Sequence, residues 1–526
     1  MACLGHLGVR DGRLQRPAQK VKETAGEKMI TADALLIRQR KIARLRSGAS
    51  PRALEICSGA GGLSLGLKTA GIELAAHIEI DPEAAESYAL NFANGRDLEG
   101  PWALPRDMEK ISADRLVAEL KLPTGAADSF DVLAAGLPCQ AFARIGRSKL
   151  RSVSGGEEDA FQKDPRASLY RRFLKYVEDT QPLVIIIENV PDILNFGGHN
   201  VPEEICEHLE AAGYSTGYTL LNAAYFGVPQ IRERLFIVAL ARVLGEKPRF
   251  PTPTHFIELP SGYQGSRRVA LKHVDQSSGR FHKLHEPADT LTPAVGVRDA
   301  LDDLPRITEH FSDPRTIRRR KLAEELPYRN LRKGISDYSR LMRSWEGFSC
   351  DGGADGHLVR LTPRDFPIFK AMEHGADYPQ AKIIAEEMFQ RALRARRLAG
   401  VHKNSSAYRD LRAAMVPPYD PKKFPNKWWK LDPSKPSRTL TAHMGKDTYS
   451  HIHYDSQQCR TISVREAARL QSFPDGFLFA GAMNAAFRQI GNAVPPLLGL
   501  AVARVVRQQL DRAAQSTEQA NDREVA

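Results

Sequence analysis

Residues 131–140, Asp-Val-Leu-Ala-Ala-Gly-Leu-Pro-Cys-Gln, form the segment around which the rest of the sequence is organised. The apolar run at residues 131–135 is typical of a strand buried in a parallel sheet. Such a strand presents the thiol of Cys139 at the carboxyl edge of the sheet. Because a thiolate attacks electron-poor carbon readily, the sequence predicts that Cys139 is a nucleophile. A buried cysteine that packs as a small hydrophobic residue is the alternative for any lone thiol.

Length and composition limit the class of protein. The chain has 526 residues, of which 42% are hydrophobic, so it is expected to form two or three domains with a large core. No apolar run approaches the length of a membrane span, and the start lacks the apolar core of a signal peptide. We therefore expect a cytoplasmic protein that does not contact a membrane. The six cysteines form no Cys-x-x-Cys pair, which argues against a metal site.

Positive charge is concentrated in one internal segment. The formal net charge of the chain is +12, and residues 241–455 carry 38 basic and 26 acidic side chains, which equals the whole excess. A solvated basic face is the ordinary explanation of such a segment. Its concentration beside a near-neutral remainder favours a polyanionic partner.

The N-terminal region divides near Met29, which we favour as the natural start of the chain. Residues 1–28 have no periodicity and are expected to be a flexible tail. Thr31 is placed to cap a helix that runs from about Ala32 to Arg46.

A glycine-rich turn follows the first predicted strand, which begins at Ala53, and precedes an amphipathic helix. Glycines there let the backbone approach a ligand, and the start of the helix offers free N–H groups. Glu79 ends the next predicted strand, at a spacing that suits hydrogen bonds from ribose hydroxyls. Asp107 is placed to reach an adenine amino group, although an exposed loop carboxylate explains it equally well. The turn is not Gly-x-Gly-x-x-Gly, so these residues indicate a nucleotide-type cofactor without identifying it.

Polar residues also adjoin two later strands, after one and before the other. Glu188 comes at the end of the apolar run 183–187, where open α/β sheets bind their ligands, and is either a general acid or a simple strand-end carboxylate. Gln230, Arg232 and Arg234 alternate into the strand 235–239. Side chains that alternate in this way suit an anionic or carbonyl-bearing ligand, although surface strands often show the same pattern.

These motifs together resemble the DNA cytosine-5 methyltransferase family, of the bacterial restriction–modification type. The resemblance covers about residues 52–240 and 435–510, and the interval between them matches the variable target-recognition region of the family. Two departures are Cys57, where an aromatic residue is common, and Ala143, where a serine is common. The family motifs occur in order as Ser58 to Gly62, Glu79, Pro138 to Gln140, Glu188 to Val190, Gln230 to Arg234, Arg460 to Gln471 and Gly491 to Pro496.

The resemblance implies a chemistry for four residues. Cys139 would add to C6 of a cytosine that has left the DNA helix, which makes C5 electron-rich. Glu188 would stabilise or protonate N3. Arg234, with Arg232, would hold the O2 side of the base and the surroundings of Cys139. Cys57 is expected to pack beside the cofactor and not to act as a nucleophile.

The resemblance also implies S-adenosyl-L-methionine as the cofactor and double-stranded DNA as the partner. The fold it implies is a Rossmann-like α/β methyltransferase domain with a smaller, mostly irregular or β target-recognition domain. The residues expected to line the cofactor site are Ser58, Gly59, Ala60, Gly61, Gly62, Glu79, Asp107, Pro138, Asn492 and Val494.

Five regions follow from this assignment. Residues 1–49 are a basic extension with a helix, and residues 50–245 are the first part of the catalytic domain. Residues 246–483 are the target-recognition domain, residues 484–515 return to the catalytic domain, and residues 516–526 are a flexible tail. We expect a monomer that acts beside a cognate restriction nuclease in phage defence.

Other classes of protein fit the sequence less well. An RNA methyltransferase that acts on tRNA would use the same chemistry, but the large basic insert favours duplex DNA. A catalytically inactive DNA-binding protein leaves the Pro138 to Gln140 and Glu188 to Val190 motifs without a purpose. A nicotinamide-dependent oxidoreductase would explain Glu79 and the glycine turn, but not Cys139.

Overall fold

A computed structural model describes residues 31–93, 98–138, 165–195, 200–284, 286–396, 402–444 and 449–525. Its centre is a six-stranded sheet. The strands are β1 (Arg52–Ile56), β2 (Glu73–Ile78), β3 (Val132–Ala135), β4 (Val184–Asn189), β5 (Tyr214–Asn222) and β6 (Glu233–Ala241). Each predicted strand is present.

The order of strands in the sheet is β2-β1-β3-β4-β6-β5. Strands β1 to β4 run parallel, whereas β6 pairs antiparallel with both β4 and β5. Strands β3 and β4 are buried along their whole length, as the apolar runs predict for strands covered on both faces. The carboxyl ends of β1, β3 and β4 therefore lie next to one another at one edge of the sheet.

Helices cover both faces of this sheet and continue through the C-terminal half. In chain order they are α1 (Ala32–Arg46), α2 (Gly62–Thr69), α3 (Pro82–Phe92), α4 (Ala113–Glu119), α5 (Ala126–Ser129), α6 (Pro165–Thr180), α7 (Val201–Ala211), α8 (Ser261–Ala270), α9 (Val297–Leu301), α10 (Pro314–Arg319), α11 (Asp337–Arg343), α12 (Phe366–Ala371), α13 (Tyr378–Ala395), α14 (Ser406–Met415), α15 (Val464–Leu470), α16 (Met483–Asn492) and α17 (Pro496–Val525). The remaining strands have two to four residues: β7 (His255–Phe256), β8 (Thr292–Pro293), β9 (Leu326–Pro327), β10 (Gly353–Ala354), β11 (Trp428–Lys430) and β12 (Tyr449–Ile452).

The predicted N-terminal helix is confirmed, and it is firmly docked. Thr31 caps α1 by accepting a hydrogen bond from the Ala34 N–H. The buried Lys41 ammonium donates to three backbone carbonyls, those of Phe130, Thr180 and Gln181. Because these carbonyls precede β3 and β4, α1 closes the amino-terminal edge of the sheet, opposite the edge where the polar motifs lie.

The segment predicted as the recognition domain, residues 246–483, does not form one separate core. Leu259 and Ala270 pack into the core of the sheet. Residues of α9, α11 and α15 share a second core with Ala60 and Leu65 of the glycine turn and α2. The parts with cores of their own are shorter, and they centre on α12, α13, α14 and β11.

Helices α15 and α16 pack together across residue 483, so the second core continues through the boundary predicted there. Regular structure in this region is also more helical than the sequence indicated. The 18-residue helix α13 begins at a capping box formed by Asp377 and Gln380, and the strands are very short.

The long helix α17 is a core helix. The segment Met483–Gln515 is long and apolar enough to cross a membrane by composition, but most of it is buried within the protein. It packs along α2, where a Cβ built on Gly66 would lie only 2.4 Å from the Leu500 nitrogen. The two helix backbones touch at this point because Gly66 has no side chain.

We predict that Gly66→Ala destabilises the protein by about 2 kcal/mol or more, because the added methyl group overlaps with the backbone of α17. Gly265→Ala is the matched control, since a Cβ at Gly265 in α8 meets nothing within 4 Å. At Gly265 the ordinary helix preference for alanine applies. The substitution should therefore increase the free energy of unfolding by at most about 1 kcal/mol. Urea unfolding of both variants measures these changes, and a stabilising Gly66→Ala would contradict the close packing.

Candidate active site

The carboxyl edge of the sheet brings together two motifs that are far apart in the sequence. The Asn189 side-chain amide, at the end of β4, donates a 2.8 Å hydrogen bond to the Leu137 carbonyl. The Gly136 N–H donates to the Ile56 carbonyl at the end of β1. The start of the segment that carries Cys139 is therefore fixed, with Pro138 exposed beyond it. Cys139 itself lies outside the described residues.

Glu188 lies directly beside this anchored segment. A Cβ on Gly136 would be 3.9 Å from the Glu188 Oε2 atom, which is an ordinary van der Waals distance. The other oxygen, Oε1, pairs with the Arg234 Nε at 2.8 Å, and each side chain is only about one-tenth exposed. Burial raises the pKa of Glu188, and the nearby charges of Arg234 and Arg232 oppose the rise. A buried carboxyl with a raised pKa is suited to hold and donate a proton.

Arg232 does not share this position, which corrects the expectation that it helps to hold a base. Its guanidinium is fully buried and donates to the carbonyls of Leu440, Gly491 and Ala493 at 2.7–3.1 Å. Alternation along the chain predicted Arg232 and Arg234 on one face of the strand. It could not show that the C-terminal segment occupies the space in front of Arg232.

The predicted acid after β2 meets the glycine turn. Glu79 Oε2 accepts a 2.7 Å hydrogen bond from the Gly59 N–H, and Oε1 accepts one from the Asp81 N–H at 2.8 Å. Each carboxylate oxygen keeps a further lone pair that can accept from a ligand hydroxyl. Burial raises the pKa of Glu79, while these backbone bonds oppose the rise.

The turn itself leaves open space at Gly59. This residue has φ +55°, and a Cβ there would meet nothing within 4 Å, so open space adjoins the backbone next to Glu79. By contrast, a Cβ on Gly62 would lie 2.2 Å from the Val494 carbonyl oxygen. Gly59 thus fits close approach by a ligand, whereas Gly62 allows the C-terminal segment to pack on the turn.

The remaining predicted cofactor residues differ in exposure. Ser58 is buried and its hydroxyl is 3.1 Å from the His77 Nδ1, while Ala60 is buried in the second core. Asp107 is partly exposed and pairs with Lys110 at 3.2 Å. Asn492, the last residue of α16, is exposed. The structure therefore brings Gly59, Glu79 and the segment around Asn492 near the carboxyl edge of the sheet. Ser58 and Ala60 are the buried residues of the glycine turn.

Cys57 has the features of an unreactive thiol. Burial and the neighbouring carboxylates raise its pKa to about 12, and its Sγ lies 3.8 Å from the Met108 sulfur. Its φ of +55° is uncommon for a residue with a side chain and marks the sharp bend that ends β1. This agrees with the expectation that Cys57 packs and does not attack.

Two features of the site were missed from the sequence. One is the tether from Asn189 to Leu137, and the other is Glu55, a carboxyl buried within β1. Glu55 accepts a hydrogen bond from the Ser64 hydroxyl, and burial raises its pKa to about 8. An acidic residue inside an otherwise apolar strand is the signal that could have identified it. Among the described residues, no group of three or more potential ligands is arranged to hold a metal ion.

Comparisons with known proteins agree with this geometry. The family model described as C-5 cytosine-specific DNA methylase matches residues 52–508. A protein of Oceanobacillus iheyensis that is predicted to be a type II methyltransferase is 38% identical over 88% of this chain and 96% of its own. The type II methyltransferase M.AgeI of Thalassovita gelatinovora is 28% identical over 87% of this chain and 99% of its own.

One solved structure shares the fold. It is a predicted DNA modification methyltransferase encoded within an Escherichia coli prophage, with 20% identity and a TM-score of 0.53. The match covers 88% of this chain and 99% of that one. At this identity the likeness shows the fold alone, a mixed α/β architecture around one central sheet.

We predict that Glu55→Gln changes how stability depends on pH. The pKa of Glu55 is raised from 4.5 to about 8 on folding, so its contribution to stability falls as pH rises through this window. Glutamine keeps the acceptor for Ser64 but does not titrate. The wild type should therefore lose stability from pH 5 to pH 8 through Glu55, and the variant should not. The free energy of unfolding of the variant minus that of the wild type should rise by roughly 3 kcal/mol over this range. Urea unfolding at four pH values measures this, and parallel curves for the two proteins would rule out a neutral Glu55.

Proposed function

The chain belongs to the C-5 cytosine-specific DNA methylase family, and from this premise we propose that it methylates C5 of one cytosine within a short duplex DNA sequence. The methyl donor we propose is S-adenosyl-L-methionine. The observation that carries the proposal is the buried Glu188–Arg234 pair, which lies beside the anchored start of the Cys139 segment.

The covalent step begins with the thiolate of Cys139. It forms a bond from sulfur to C6 of the cytosine, and the electron pair of the C5–C6 double bond moves onto C5 and toward N3. Glu188 donates its proton, or a strong hydrogen bond, to N3 as this charge develops, and its raised pKa suits that task. Arg234 orients the Glu188 carboxyl and balances its charge once the proton has left.

The electron-rich C5 then attacks the methyl group that S-adenosyl-L-methionine would supply from its sulfonium, with S-adenosylhomocysteine as the leaving group. A base removes the C5 proton, N3 returns its proton to Glu188, the electron pair re-forms the C5–C6 double bond, and the thiolate leaves. The residues proposed to hold the donor are Gly59, Glu79 and Asn492, supported by Ser58, Ala60, Gly61, Gly62 and Val494. Gly59 and Glu79 fit this assignment because they are hydrogen-bonded to each other, open space adjoins Gly59, and the Glu79 carboxylate has further acceptor capacity.

The target cytosine must leave the DNA helix to reach this site. Glu188 is about one-tenth exposed at the edge of the sheet, so a base that stays paired within a duplex is excluded from it. Extrusion costs roughly a few kcal/mol of stacking and pairing. Contacts between basic side chains and phosphates can offset that cost.

A surface of the C-terminal half has the chemistry for those contacts. We call it the Lys-Phe patch, consisting of Lys422, Lys423, Phe424 and Lys427. Phe424 is half exposed, and the Lys427 ammonium lies 3.6 Å from the centre of the Tyr419 ring. Lysine beside an exposed aromatic ring suits binding to phosphates and bases.

The Lys-Phe patch is connected to the site through one segment of chain. Arg438 donates to the Asn426 side chain, next to Lys427, at 3.1 Å. The adjacent Thr439 hydroxyl donates to the Ile231 carbonyl, three residues before Arg234. This route supports a single DNA-binding face that runs from the patch to the catalytic edge.

The names of the relatives, which are type II methyltransferases, support a proposal for the wider biological role. We propose that the protein acts as a monomer in the bacterial cytoplasm, beside a restriction nuclease that cuts the same sequence when it is unmethylated. Phage defence is the purpose of such a pair.

We predict that the purified protein transfers labelled methyl groups to unmethylated DNA and that Cys139→Ala abolishes the transfer. Glu188→Gln should lower kcat by roughly 10²–10⁴-fold, because it removes the proton donor. Glu178→Gln, at an exposed carboxylate on α6, is the charge-matched control and should leave kcat unchanged. Label in tRNA with none in DNA would reject the DNA substrate. A Glu188→Gln enzyme within threefold of the wild type would reject the acid role.

We predict that replacing Lys423 and Lys427 together by glutamine reduces the salt dependence of DNA binding. The logarithm of the association constant falls as the logarithm of salt concentration rises. The loss of two phosphate contacts should reduce the magnitude of this negative slope by about 2. Lys175→Gln is the control, because Lys175 is an exposed lysine on α6 that pairs with Asp179 of the same helix. Fluorescence anisotropy with one duplex over a series of salt concentrations gives the slopes, and equal slopes for all three proteins would remove the Lys-Phe patch from the DNA-binding face.

A further inference from the structure

Three fully buried side chains form a polar seam between the sheet and the C-terminal segment. They are Gln230, Arg232 and Gln471. Gln230 donates to the Leu470 carbonyl and to the Gln471 side chain, and it accepts from the Leu440 N–H. Gln471 in turn donates to the Ala493 carbonyl at 2.6 Å. The seam joins pieces of chain that are more than 200 residues apart in the sequence.

Arg232 makes the central contacts of the seam. Its Nη2 donates to the carbonyl of Gly491 at 2.9 Å and to that of Ala493 at 3.1 Å, on either side of Asn492. Its Nη1 donates to the Leu440 carbonyl at 2.7 Å. One planar guanidinium thus holds both neighbours of Asn492, and its rigid fork fixes their direction as well as their distance.

The backbone of Arg232 is held equally firmly. The Arg232 carbonyl accepts a hydrogen bond from the Ala223 N–H, and two residues later Arg234 pairs with Glu188. The side chain of Arg232 therefore connects the end of α16 to the strand that carries the Glu188–Arg234 pair.

We propose that Arg232 is a positioning residue that fixes the turn around Asn492 relative to the Glu188–Arg234 pair and so holds this turn in the conformation that binds the methyl donor. This inference rests on the proposed function, in which Asn492 contacts the donor. Arg232 touches neither ligand and acts through the two carbonyls that it binds.

A structural role and a positioning role of Arg232 have different measurable consequences. A guanidinium that only stabilised the fold would affect the unfolding temperature and nothing else. A positioning residue also changes the affinity for the donor, because the turn around Asn492 is no longer held in its binding conformation.

The test compares Arg232→Met with Arg38→Met. Arg38 is a matched control, since it is also buried and its guanidinium donates to two backbone carbonyls, at the opposite edge of the sheet. Calorimetric titration with S-adenosyl-L-methionine gives Kd, thermal unfolding gives Tm, and steady-state kinetics separate KM for the donor from kcat. We expect Arg232→Met to raise Kd and KM at least tenfold with kcat within threefold. Arg38→Met should lower Tm without changing Kd.

Two further variants keep the proposal testable if Arg232→Met folds poorly. Arg232→Lys should recover part of the affinity, because the Lys41 ammonium shows that a lysine in this protein can satisfy three carbonyls. Gln471→Leu removes the second donor to the Ala493 carbonyl and should raise Kd about threefold.

Three results would overturn the inference. The first is an unchanged Kd in Arg232→Met and in Gln471→Leu. The second is a kcat reduced a hundredfold with Kd unchanged, which would assign Arg232 to the target base. The third is an Arg232→Lys variant no better than Arg232→Met. A wild-type protein that neither binds the donor nor methylates DNA would instead reject the proposed function, so the two failures are distinguishable.

Discussion

The site depends on the junction where an antiparallel strand joins a parallel sheet. Strands β3 and β4 present Pro138 and Glu188 at the same edge because they run in the same direction. Strand β6 runs the other way beside β4, so its beginning lies where β4 ends, and Arg234 reaches Glu188 from the neighbouring strand. Reversing or displacing β6 would separate the two charges by the length of the sheet. The buried ion pair is thus a direct result of strand direction, and its low exposure is what raises the pKa of Glu188.

The C-terminal segment completes this edge from the other side. It packs without room for a side chain at two places, where Val494 meets Gly62 at the start of α2 and where Gly491 meets Thr441. Between these contacts, Arg232 and Gln471 bind the backbone carbonyls that the end of α16 leaves without helical partners. This edge is therefore continuous in space although more than 200 residues of sequence separate the residues that it joins. The basic C-terminal half is attached along the same seam, through Leu440 and Ser437.

Much of this arrangement could be predicted from the sequence, for reasons that are local. Short apolar runs gave the strands, Thr31 gave the start of α1, and the spacing from Gly59 to Glu79 placed an acid beside the turn. The errors concern contacts across the fold. Alternation placed Arg232 and Arg234 on one face, but what lies opposite each depends on segments around residues 440 and 491. The sequence likewise did not show that α15 and α16 pack together across residue 483, because both contribute to one core. Glu55 was missed because strand patterns do not reveal which buried carboxyl finds a hydroxyl such as Ser64.

The central claim is that one sheet edge forms a cytosine C5 methylation site whose nucleophile is Cys139. Bisulfite sequencing of DNA from methylation-free cells that express the protein tests it most directly, with cells that express Cys139→Ala at equal level beside them. The account predicts protected cytosines within one short sequence in the first sample and none in the second. Unprotected DNA from cells that contain folded wild-type protein, or protection that survives in Cys139→Ala, would contradict it.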